Sequence, residues 1–347
     1  MRSVYAPAFH ALGALLGSGL AGSGLASSEL GLDGAVKLLA FASAVLLIAG
    51  FRSFQRAAGL PEAAAALFAW APYSFALSWC LPKVEAAGYG LAFAGLGLLL
   101  RRRSRAVALA LAATFLVHTA AALFFGLCGG VLALAKRDRE GLLALAAGCL
   151  LASPLFVAHL AAGCTPAQAL LFSPGDYLRS AAGWSGLVVW DRVLVLSGPI
   201  AVACAALGAA RLWREHRAVA IAAGVVVMLY ANELWLAPLG LHTTLNLMRG
   251  LTIFAFPVAV AAGVYLAARP RLAAAVTLAC ALWALGAAWL ALPGSCHRVP
   301  IDLAEVGSLE VDRCTFRWRI SGSRHELDPR LGGAARAPRR PAGKARD

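Results

Sequence analysis

Apolar stretches of about twenty residues recur along nearly the whole chain, and they constrain its fold more than any other feature. Nine of them are separated by short polar segments: 8–27, 34–51, 62–81, 86–100, 141–161, 193–210, 218–236, 250–268 and 272–292. Lipid offers backbone groups no hydrogen-bond partners, so stretches of this kind must be helical. With 61% hydrophobic residues, 14% charged residues and a mean hydropathy of +0.74, the composition predicts an integral membrane protein.

Basic residues are concentrated between particular apolar stretches. Of the 31 lysines and arginines, 14 fall in five compact clusters: Arg52/Arg56, Arg101 to Arg105, Lys136 to Arg139, Arg211 to Arg217, and Arg269/Arg271. Cytoplasmic loops of membrane proteins carry such an excess, so we predict that these clusters face the cytoplasm. The same distribution accounts for the net charge of +14 without a nucleic-acid partner. It predicts a multi-pass protein of the cell membrane, in contact with the lipid bilayer, with a cytoplasmic N-terminus and an extracytoplasmic C-terminus.

The segment 106–135 is almost entirely apolar and lies between two basic clusters. As a single helix it would be about 45 Å long and would leave one cluster on the wrong side. We therefore predict a hairpin of two half-length helices that rises from Arg105 and returns to Lys136, with its turn near Thr114 to Ala122 and His118 at the tip. Such short arms cannot cross the hydrocarbon alone, so the tip must meet a water-accessible pocket that opens outward. One long, strongly tilted helix is the alternative.

The predicted fold class is all-α, a polytopic transmembrane helical bundle of about 9–11 helices that includes the short-helix hairpin and a small extracytoplasmic C-terminal tail. Residues 1–292 form the transmembrane domain, in which a signal peptide is the alternative interpretation of 8–27. Residues 293–328 form a short extracytoplasmic segment, in which LEVDRCTFRWRI alternates like a β-strand, and 329–347 form a disordered basic tail. The outer segment 162–192 is predicted to be an amphipathic helix lying in the interface.

The eight cysteines show no CxxC motif and no metal-ligand spacing, so we expect no zinc site. Four of them lie in apolar stretches and are predicted to be small core residues: Cys128, Cys149, Cys204 and Cys280. Cys296 and Cys314 both fall in the predicted outer tail. They can pair if that compartment is oxidising, and the sequence leaves the question open.

Ionisable residues at membrane depth are costly, which makes them the first candidates for function. Glu233 is the one carboxylate well inside an apolar stretch, and it can act as a base toward an acceptor hydroxyl or bind a divalent cation. Snorkelling to the interface is the alternative. His118 and His159 lie near the predicted outer side, where hydrogen-bonded packing competes with a role as ligand or base. Glu233 and His118 are the predicted catalytic residues.

Arg249 begins a helix from the outer side, against the positive-inside trend, which suggests an anionic partner such as Glu233 or a phosphate. With Arg192 and Lys83 it is predicted to bind the phosphate of a substrate, and interfacial anchoring is the alternative. The residues predicted to line the substrate pocket are His159, Trp184, Trp190 and His242. No metal site is predicted; the cofactor stays open, with a divalent cation as one candidate.

Several segments resemble the GT-C class of membrane glycosyltransferases, which take a sugar from a polyprenyl-phosphate carrier on the outer face of the membrane. YAPAFHALGALL at 5–16 is similar to a Tyr-Pro-Pro stretch of that class, with Pro7 and His10 at matching positions. RSFQRAAGLPEAAAALFAWAPYSF at 52–75 is similar to its basic turn and Ala-rich helix. FLVHTAAALFFGLCGGVLALAKRD at 115–138 is similar to its short-helix segment, and HTTLNLMRGLTIFAFPVAVAAGVYL at 242–266 to its late helix with an arginine. The resemblance covers residues 1–290.

The resemblance implies a polyprenyl-phosphate-linked sugar as partner and a catalytic carboxylate in the first outer loop. This sequence starts at the segment that follows that loop in the class, so the first helix and its acidic loop are missing from it. Glu29 and Asp33 lie on a predicted outer loop but match no motif of the class.

Three functions compete. The first is a glycosyltransferase-like membrane protein that transfers or binds a sugar from a polyprenyl-phosphate carrier at the outer membrane face. The second is a non-catalytic membrane scaffold or assembly subunit, which the lack of a full acid-base set in the sequence favours. The third is a transporter or flippase of an amphipathic substrate, which is disfavoured because the polar groups collect toward one face.

Overall fold

Ten helices and a two-stranded ribbon make up the described part of the chain. The computed structural model describes residues 28–71, 84–161, 198–230, 247–295, 308–311 and 318–321. The helices are α1 (Ser28–Ala57), α2 (Glu62–Ala69), α3 (Val84–Leu100), α4 (Ser104–Val117), α5 (Thr119–Ala135), α6 (Arg139–Ala161), α7 (Pro199–Glu215), α8 (Arg217–Tyr230), α9 (Leu247–Leu266) and α10 (Pro270–Ser295). The strands β1 (Ser308–Val311) and β2 (Trp318–Ser321) pair antiparallel, with Val311 opposite Trp318.

The helical class predicted from the apolar stretches is confirmed. Two helical segments, Leu38–Ala57 and Arg139–Val157, are long and apolar enough to cross a membrane, and six shorter apolar helices accompany them among the described residues. The predicted stretches 86–100 and 272–292 correspond to α3 and α10, each within a few residues at both ends. In the C-terminal segment, two short strands, β1 and β2, lie at the two ends of the stretch that was predicted to alternate like a strand.

Residues 104–135 form two helices, as predicted for a hairpin. α4 ends at Val117, α5 begins at Thr119, and the backbone between them is extended at His118, with φ −160° and ψ 109°. Gly88 of α3 lies against His118, and Gly95 lies against Phe125, so α3 and α5 run in the same direction. α4 therefore runs the opposite way, and both arms of the hairpin return to one end of the helices.

The C-termini of α1, α3 and α5 meet at that end. Arg101, in the α3–α4 turn, donates from Nη1 to Ser53 Oγ and from Nη2 to the Ser53 carbonyl oxygen, both at 3.1 Å. Leu99 of α3 lies against both Gly129 of α5 and Gly141 of α6, so the α5–α6 turn is beside the α3–α4 turn. Three of the five basic clusters are thus neighbours.

α9 and α7 bring the other two basic clusters to the same end. Gly263 of α9 lies against Ala64 of α2, two residues after Glu62, which pairs with Arg52 at 3.6 Å. Gly208 of α7 lies against Ala261 of α9. Cys204, one turn earlier in α7, lies beside Cys280, well inside α10, so α7 runs parallel to α9. We call this the basic end, because it holds every lysine and arginine side chain that the structure describes.

Six phenylalanines from five helices form the centre of the core. They are all fully buried: Phe51 and Phe54 of α1, Phe68 of α2, Phe93 of α3, Phe124 of α5 and Phe256 of α9. Phe51 stacks on Phe68 at 3.9 Å and meets Phe93 edge-on at 5.1 Å. Phe256 lies 5.6 Å from Phe93. Aromatic pairs contribute about 0.5–1.5 kcal/mol beyond the area they bury, so this Phe cluster joins helices that are far apart in sequence.

Three helices finish at the basic end with the same left-handed turn. Gly59, Arg102 and Arg137 have φ values of 66°, 57° and 54°. In each turn the next amide bonds back to a carbonyl five residues earlier, as in a Schellman motif. These bonds are Leu60 to Gln55 at 3.0 Å, Arg103 to Leu98 at 3.0 Å and Asp138 to Ala133 at 2.8 Å. Glycine adopts this conformation freely, whereas each arginine costs about 1–2 kcal/mol.

Much of the outward surface is apolar. Along α6, Leu143, Leu150 and Val157 are 69%, 73% and 62% exposed. α10 likewise exposes Leu278 and Leu282. Such exposure is typical of helices that contact lipid, a partner or another part of the chain.

The cysteines divide between the core and this surface. Cys128, Cys204 and Cys280 are buried, as predicted. Cys149 is exposed, so its prediction as a core residue is wrong. The reason is its place on α6: the neighbouring Gly148 packs against Leu111 of α4, which turns Cys149 to the same outward side as Leu150.

Candidate functional site

His118, at the tip of the hairpin, holds the ends of both arms. Its amide donates to the Thr114 carbonyl oxygen at 2.7 Å, which closes α4. Its Nδ1 accepts the amide of Ala121 at 3.2 Å, which caps α5. The imidazole therefore takes the place that serine or aspartate usually has at a helix N-terminus.

The capping bond selects one tautomer of the neutral imidazole of His118. Nδ1 accepts an N–H group, so it carries the lone pair and the ring proton lies on Nε2. A second proton on Nδ1 would break the cap and place a positive charge at a helix N-terminus, where the dipole disfavours it. The geometry therefore favours hydrogen-bond donation from Nε2 over proton abstraction by this ring.

α3 packs against His118 at Gly88 and Tyr89. The ring of Tyr89, which is buried, lies 6.0 Å from the imidazole and 5.7 Å from Phe124, so an aromatic row leads from the Phe cluster to the hairpin tip. Gly88 lies against the His118 Cβ, and a side chain at that position would overlap it. Glu85, one turn earlier on the same face of α3, is the one carboxylate among the described side chains at this end.

His159 lies on α6 at the level of His118. Gly148 of α6 packs against Leu111 of α4, and further along Phe156 meets Phe115 edge-on at 5.3 Å, so the two helices run parallel. His159 follows Phe156 at the same interval as His118 follows Phe115. The backbones of the two predicted histidines thus lie within about one turn of the same height.

Arg249 lies on α9 at the same end. Phe256 of α9 lies 6.0 Å from Phe124 of α5, and both helices run toward the basic end. Arg249 is about two turns before Phe256, and His118 is nearly two turns before Phe124. Their backbones are therefore level within about half a turn. Three of the predicted site residues share the end opposite the basic end, which we call the His118 end.

The hairpin tip is recessed relative to the N-terminal end of α1. α4 has 14 residues and α5 has 17, which correspond to rises of about 21 and 26 Å, less than the ~30 Å hydrocarbon core of a bilayer. Leu46 of α1 lies against Gly90 of α3, close to the level of His118. Because α1 starts at Ser28, it extends about 24 Å beyond that level. α1 therefore extends past the hairpin tip on the side of α3.

Six predicted site residues lie outside the described residues: Glu233, Arg192, Lys83, Trp184, Trp190 and His242. The predicted interfacial helix at 162–192 and the Cys296–Cys314 pair lie outside them as well. Among the side chains that the structure describes, no three His, Cys, Asp or Glu residues form a group able to hold a metal ion.

Sequence reasoning identified neither Tyr89 nor Glu85. Tyr89 stands between Gly88 and Gly90 in an otherwise apolar run, and a large aromatic residue between two glycines is a signal of close packing around its ring. Glu85 becomes a candidate site residue only because Gly88, three residues later, contacts His118. The sequence alone does not show that contact.

Comparison with family models, with curated proteins and with solved structures finds no match to this chain. The resemblance to the GT-C class therefore stays a prediction.

Proposed function

We propose that the chain is a polytopic membrane protein whose basic end faces the cytoplasm. The gathering of all described lysine and arginine side chains at one end supports this orientation. Two aromatic rings near that end make cation–π contacts with arginines. Arg217 Cζ lies 5.3 Å from the centroid of the Trp213 ring, and Arg269 Cζ lies 4.4 Å from that of the Tyr265 ring. Such residues commonly mark a membrane–water interface. α1 runs toward the basic end and α10 away from it, which with 8–27 as a span gives a cytoplasmic N-terminus and an extracytoplasmic tail.

Cysteine labelling in whole cells tests this topology. Single cysteines at Arg103 and Lys136, in a cysteine-free background, should resist a membrane-impermeant maleimide until the membrane is permeabilised. A cysteine at Thr119, beside the hairpin tip, should react from outside. Labelling of Arg103 and Lys136 on opposite faces would contradict both the hairpin and the proposed orientation.

We further propose a glycosyltransferase-like function at the His118 end, with a polyprenyl-phosphate-linked sugar as the donor. The observation that carries this proposal is that the backbones of His118, His159 and Arg249 lie near one height at the end opposite the basic end. Histidines and arginines at this depth are costly and need polar partners. A phosphate on a long lipid satisfies that need, since its chain can lie in the bilayer while the charged group reaches the recess.

In the proposed reaction the oxygen of an acceptor hydroxyl attacks the anomeric carbon of the donor sugar. The bond from that carbon to the phosphate oxygen breaks, and the lipid phosphate leaves with the electron pair. Arg249 is assigned to the phosphate, and the Nε2–H of His118 donates to a phosphate oxygen as charge develops. The acceptor proton goes to a carboxylate, for which Glu233 is the sequence candidate and Glu85, one turn from Gly88, is the second.

The test uses purified full-length protein in nanodiscs, with undecaprenyl phosphate as the binding probe and native mass spectrometry as the readout. Arg249→Ala should reduce retention of the probe about tenfold, as expected for the loss of a charged hydrogen bond to phosphate. Arg271→Ala, at the basic end, is the matched control and should bind as the wild type does. Transfer of radiolabelled hexose from a polyprenyl-phosphate hexose should also fall in Arg249→Ala and Glu233→Ala. Full activity in both variants would overturn the proposed site.

A scaffold role is the second candidate, because the described side chains at the His118 end include a single carboxylate, Glu85. A wild-type protein that retains undecaprenyl phosphate but transfers no sugar would favour this role. A protein that neither retains the lipid nor transfers sugar would exclude the substrate assignment altogether.

A further inference from the structure

We infer that Arg102 and Arg137 form a docking platform for the phosphate of an anionic phospholipid in the membrane leaflet at the basic end. The inference rests on the membrane location proposed above and is independent of the glycosyltransferase reaction. It concerns the opposite end of the molecule from His118.

The first observation is the strained backbone at both positions. Arg102 and Arg137 are the non-glycine residues with positive φ among those that the structure describes. They occupy the same place in two equivalent turns, and the third turn of this type has Gly59 there. A costly residue at a glycine position points to a role for its side chain, since the turn itself would be better served by glycine.

The second observation is that both guanidinium groups are available. Arg102 and Arg137 are exposed, and neither has a hydrogen-bond or ion-pair partner among the described side chains. Other arginines at the basic end are engaged: Arg101 binds Ser53, and Arg211 pairs with Glu215 at 2.6 Å. Contacts within the described part of the chain thus do not explain the strained positions.

The third observation is that the two turns adjoin each other. Leu99, three residues before Arg102, lies against Gly141, four residues after Arg137. The two segments 101–105 and 136–140 together hold seven basic and two acidic residues. One of the acids, Asp138, is turned to the protein, since its Oδ1 accepts the Gly141 amide at 3.0 Å.

These properties fit a lipid phosphate at the membrane surface. Guanidinium groups bind phosphate oxygens in pairs, and the negative surface of the cytoplasmic leaflet attracts basic residues within a Debye length. The C-terminal ends of α3 and α5 would lie at the level of the lipid headgroups, so both arginines would face the same headgroup layer. A phosphatidylglycerol or similar headgroup is therefore the ligand class that the two turns recognise.

The experiment compares lipid retention by full-length protein in nanodiscs of equimolar phosphatidylcholine and phosphatidylglycerol, measured by native mass spectrometry after detergent release. Wild-type protein should retain phosphatidylglycerol in preference to phosphatidylcholine. The double variant Arg102→Gly with Arg137→Gly should lose at least fivefold of that preference, while it folds normally because glycine suits both turns. The matched control, Arg214→Gln with Arg271→Gln, removes two charges from the same end and should keep the preference within twofold.

Four results would overturn the inference. Unchanged preference in the double glycine variant would show that the turns bind no headgroup. An equal loss in the control variant would show that only the summed charge of the basic end matters. Recovery of the wild-type protein in the soluble fraction would overturn the membrane proposal and this inference together, whereas membrane-bound protein without lipid preference would overturn this inference alone.

Discussion

Gly50 and Gly90 face each other where α1 crosses α3, and neither position has room for a side chain. A methyl group on Gly50 would lie 2.9 Å from the carbonyl carbon of Gly90, and one on Gly90 would lie 2.7 Å from the carbonyl carbon of Leu46. These neighbours are backbone atoms, which can yield only if a whole helix shifts. We expect Gly50→Ala to lower the free energy of unfolding by about 1–3 kcal/mol, measured as a lower midpoint of thermal unfolding in detergent.

Gly224→Ala on α8 is the control for that substitution, because a methyl group there would meet nothing within 4 Å. Alanine is the better helix former, so this variant should gain up to about 1 kcal/mol. Equal losses in the two alanine variants would contradict the close crossing of α1 and α3.

Replacement of His118 should separate its structural role from its proposed chemical one. His118→Ala removes the acceptor for the Ala121 amide and should cost about 1 kcal/mol of stability. His118→Asn keeps a capping acceptor, so its unfolding midpoint should stay near that of the wild type. If the Nε2–H serves the substrate, both variants should retain less undecaprenyl phosphate. If the amount of undecaprenyl phosphate retained changes only as the unfolding midpoint changes, the role of His118 is limited to capping α5.

A lysine on the outer face of α6 should report the medium that surrounds the helices. Leu150 is 73% exposed and lies midway along α6, so Leu150→Lys would place a charge in the hydrocarbon at a cost of about 2.5–3.5 kcal/mol. The yield of membrane-integrated protein should fall several-fold. Leu134→Lys, near Lys136 at the basic end, is the control, because an added amine there can reach the interface. Tolerance of both lysines would indicate that α6 faces water.

Glycine at the strained turns should stabilise the protein. Arg102→Gly and Arg137→Gly each relieve a left-handed conformation, and after the added entropy of the unfolded chain about 1 kcal/mol of gain should remain. The unfolding midpoint in detergent should rise for each. Arg103→Gly, where φ is −93°, has no strain to relieve and should give no gain. A fall in stability for Arg102→Gly would show that the backbone strain is overestimated.

The hairpin was predictable from the length of the segment between its two basic clusters, compared with the length of a membrane-spanning helix. The segment between Arg105 and Lys136 is too long to be one span with both clusters inside, and too short to be two full spans. The positions of the two basic clusters therefore predicted the topology of α4 and α5. His118 was predicted at their junction because it lies near the middle of the segment. The gathering of the basic clusters at one end was predictable for the same reason.

Side-chain contacts were less predictable because the helices are apolar on all faces. A soluble helix shows its buried side through a stripe of apolar residues, but α6 has no polar face that would reveal which side contacts protein. Cys149 was therefore assigned to the core, although it shares the outer face with Leu150. The row from Phe124 through Tyr89 to His118 likewise depends on pairings between helices that no local pattern contains.

The turns at Arg102 and Arg137 escaped prediction for another reason. Glycine after the last helical residue is the usual sign of a left-handed helix end, and here only Gly59 carries it. An arginine in a basic cluster looks like any other cytoplasmic charge until its backbone is seen. The positive φ values separate these two arginines from their neighbours.

The Phe cluster has a consequence for how the protein is made. Phe51 and Phe54 emerge early in synthesis, whereas Phe256, which meets both Phe93 and Phe124, is translated only after eight described helices. Until α9 is synthesised, the core of the earlier helices lacks the Phe256 ring. These helices are then accessible to proteases and chaperones. Resistance to cellular quality control should thus arise late and abruptly, at the moment the last ring arrives.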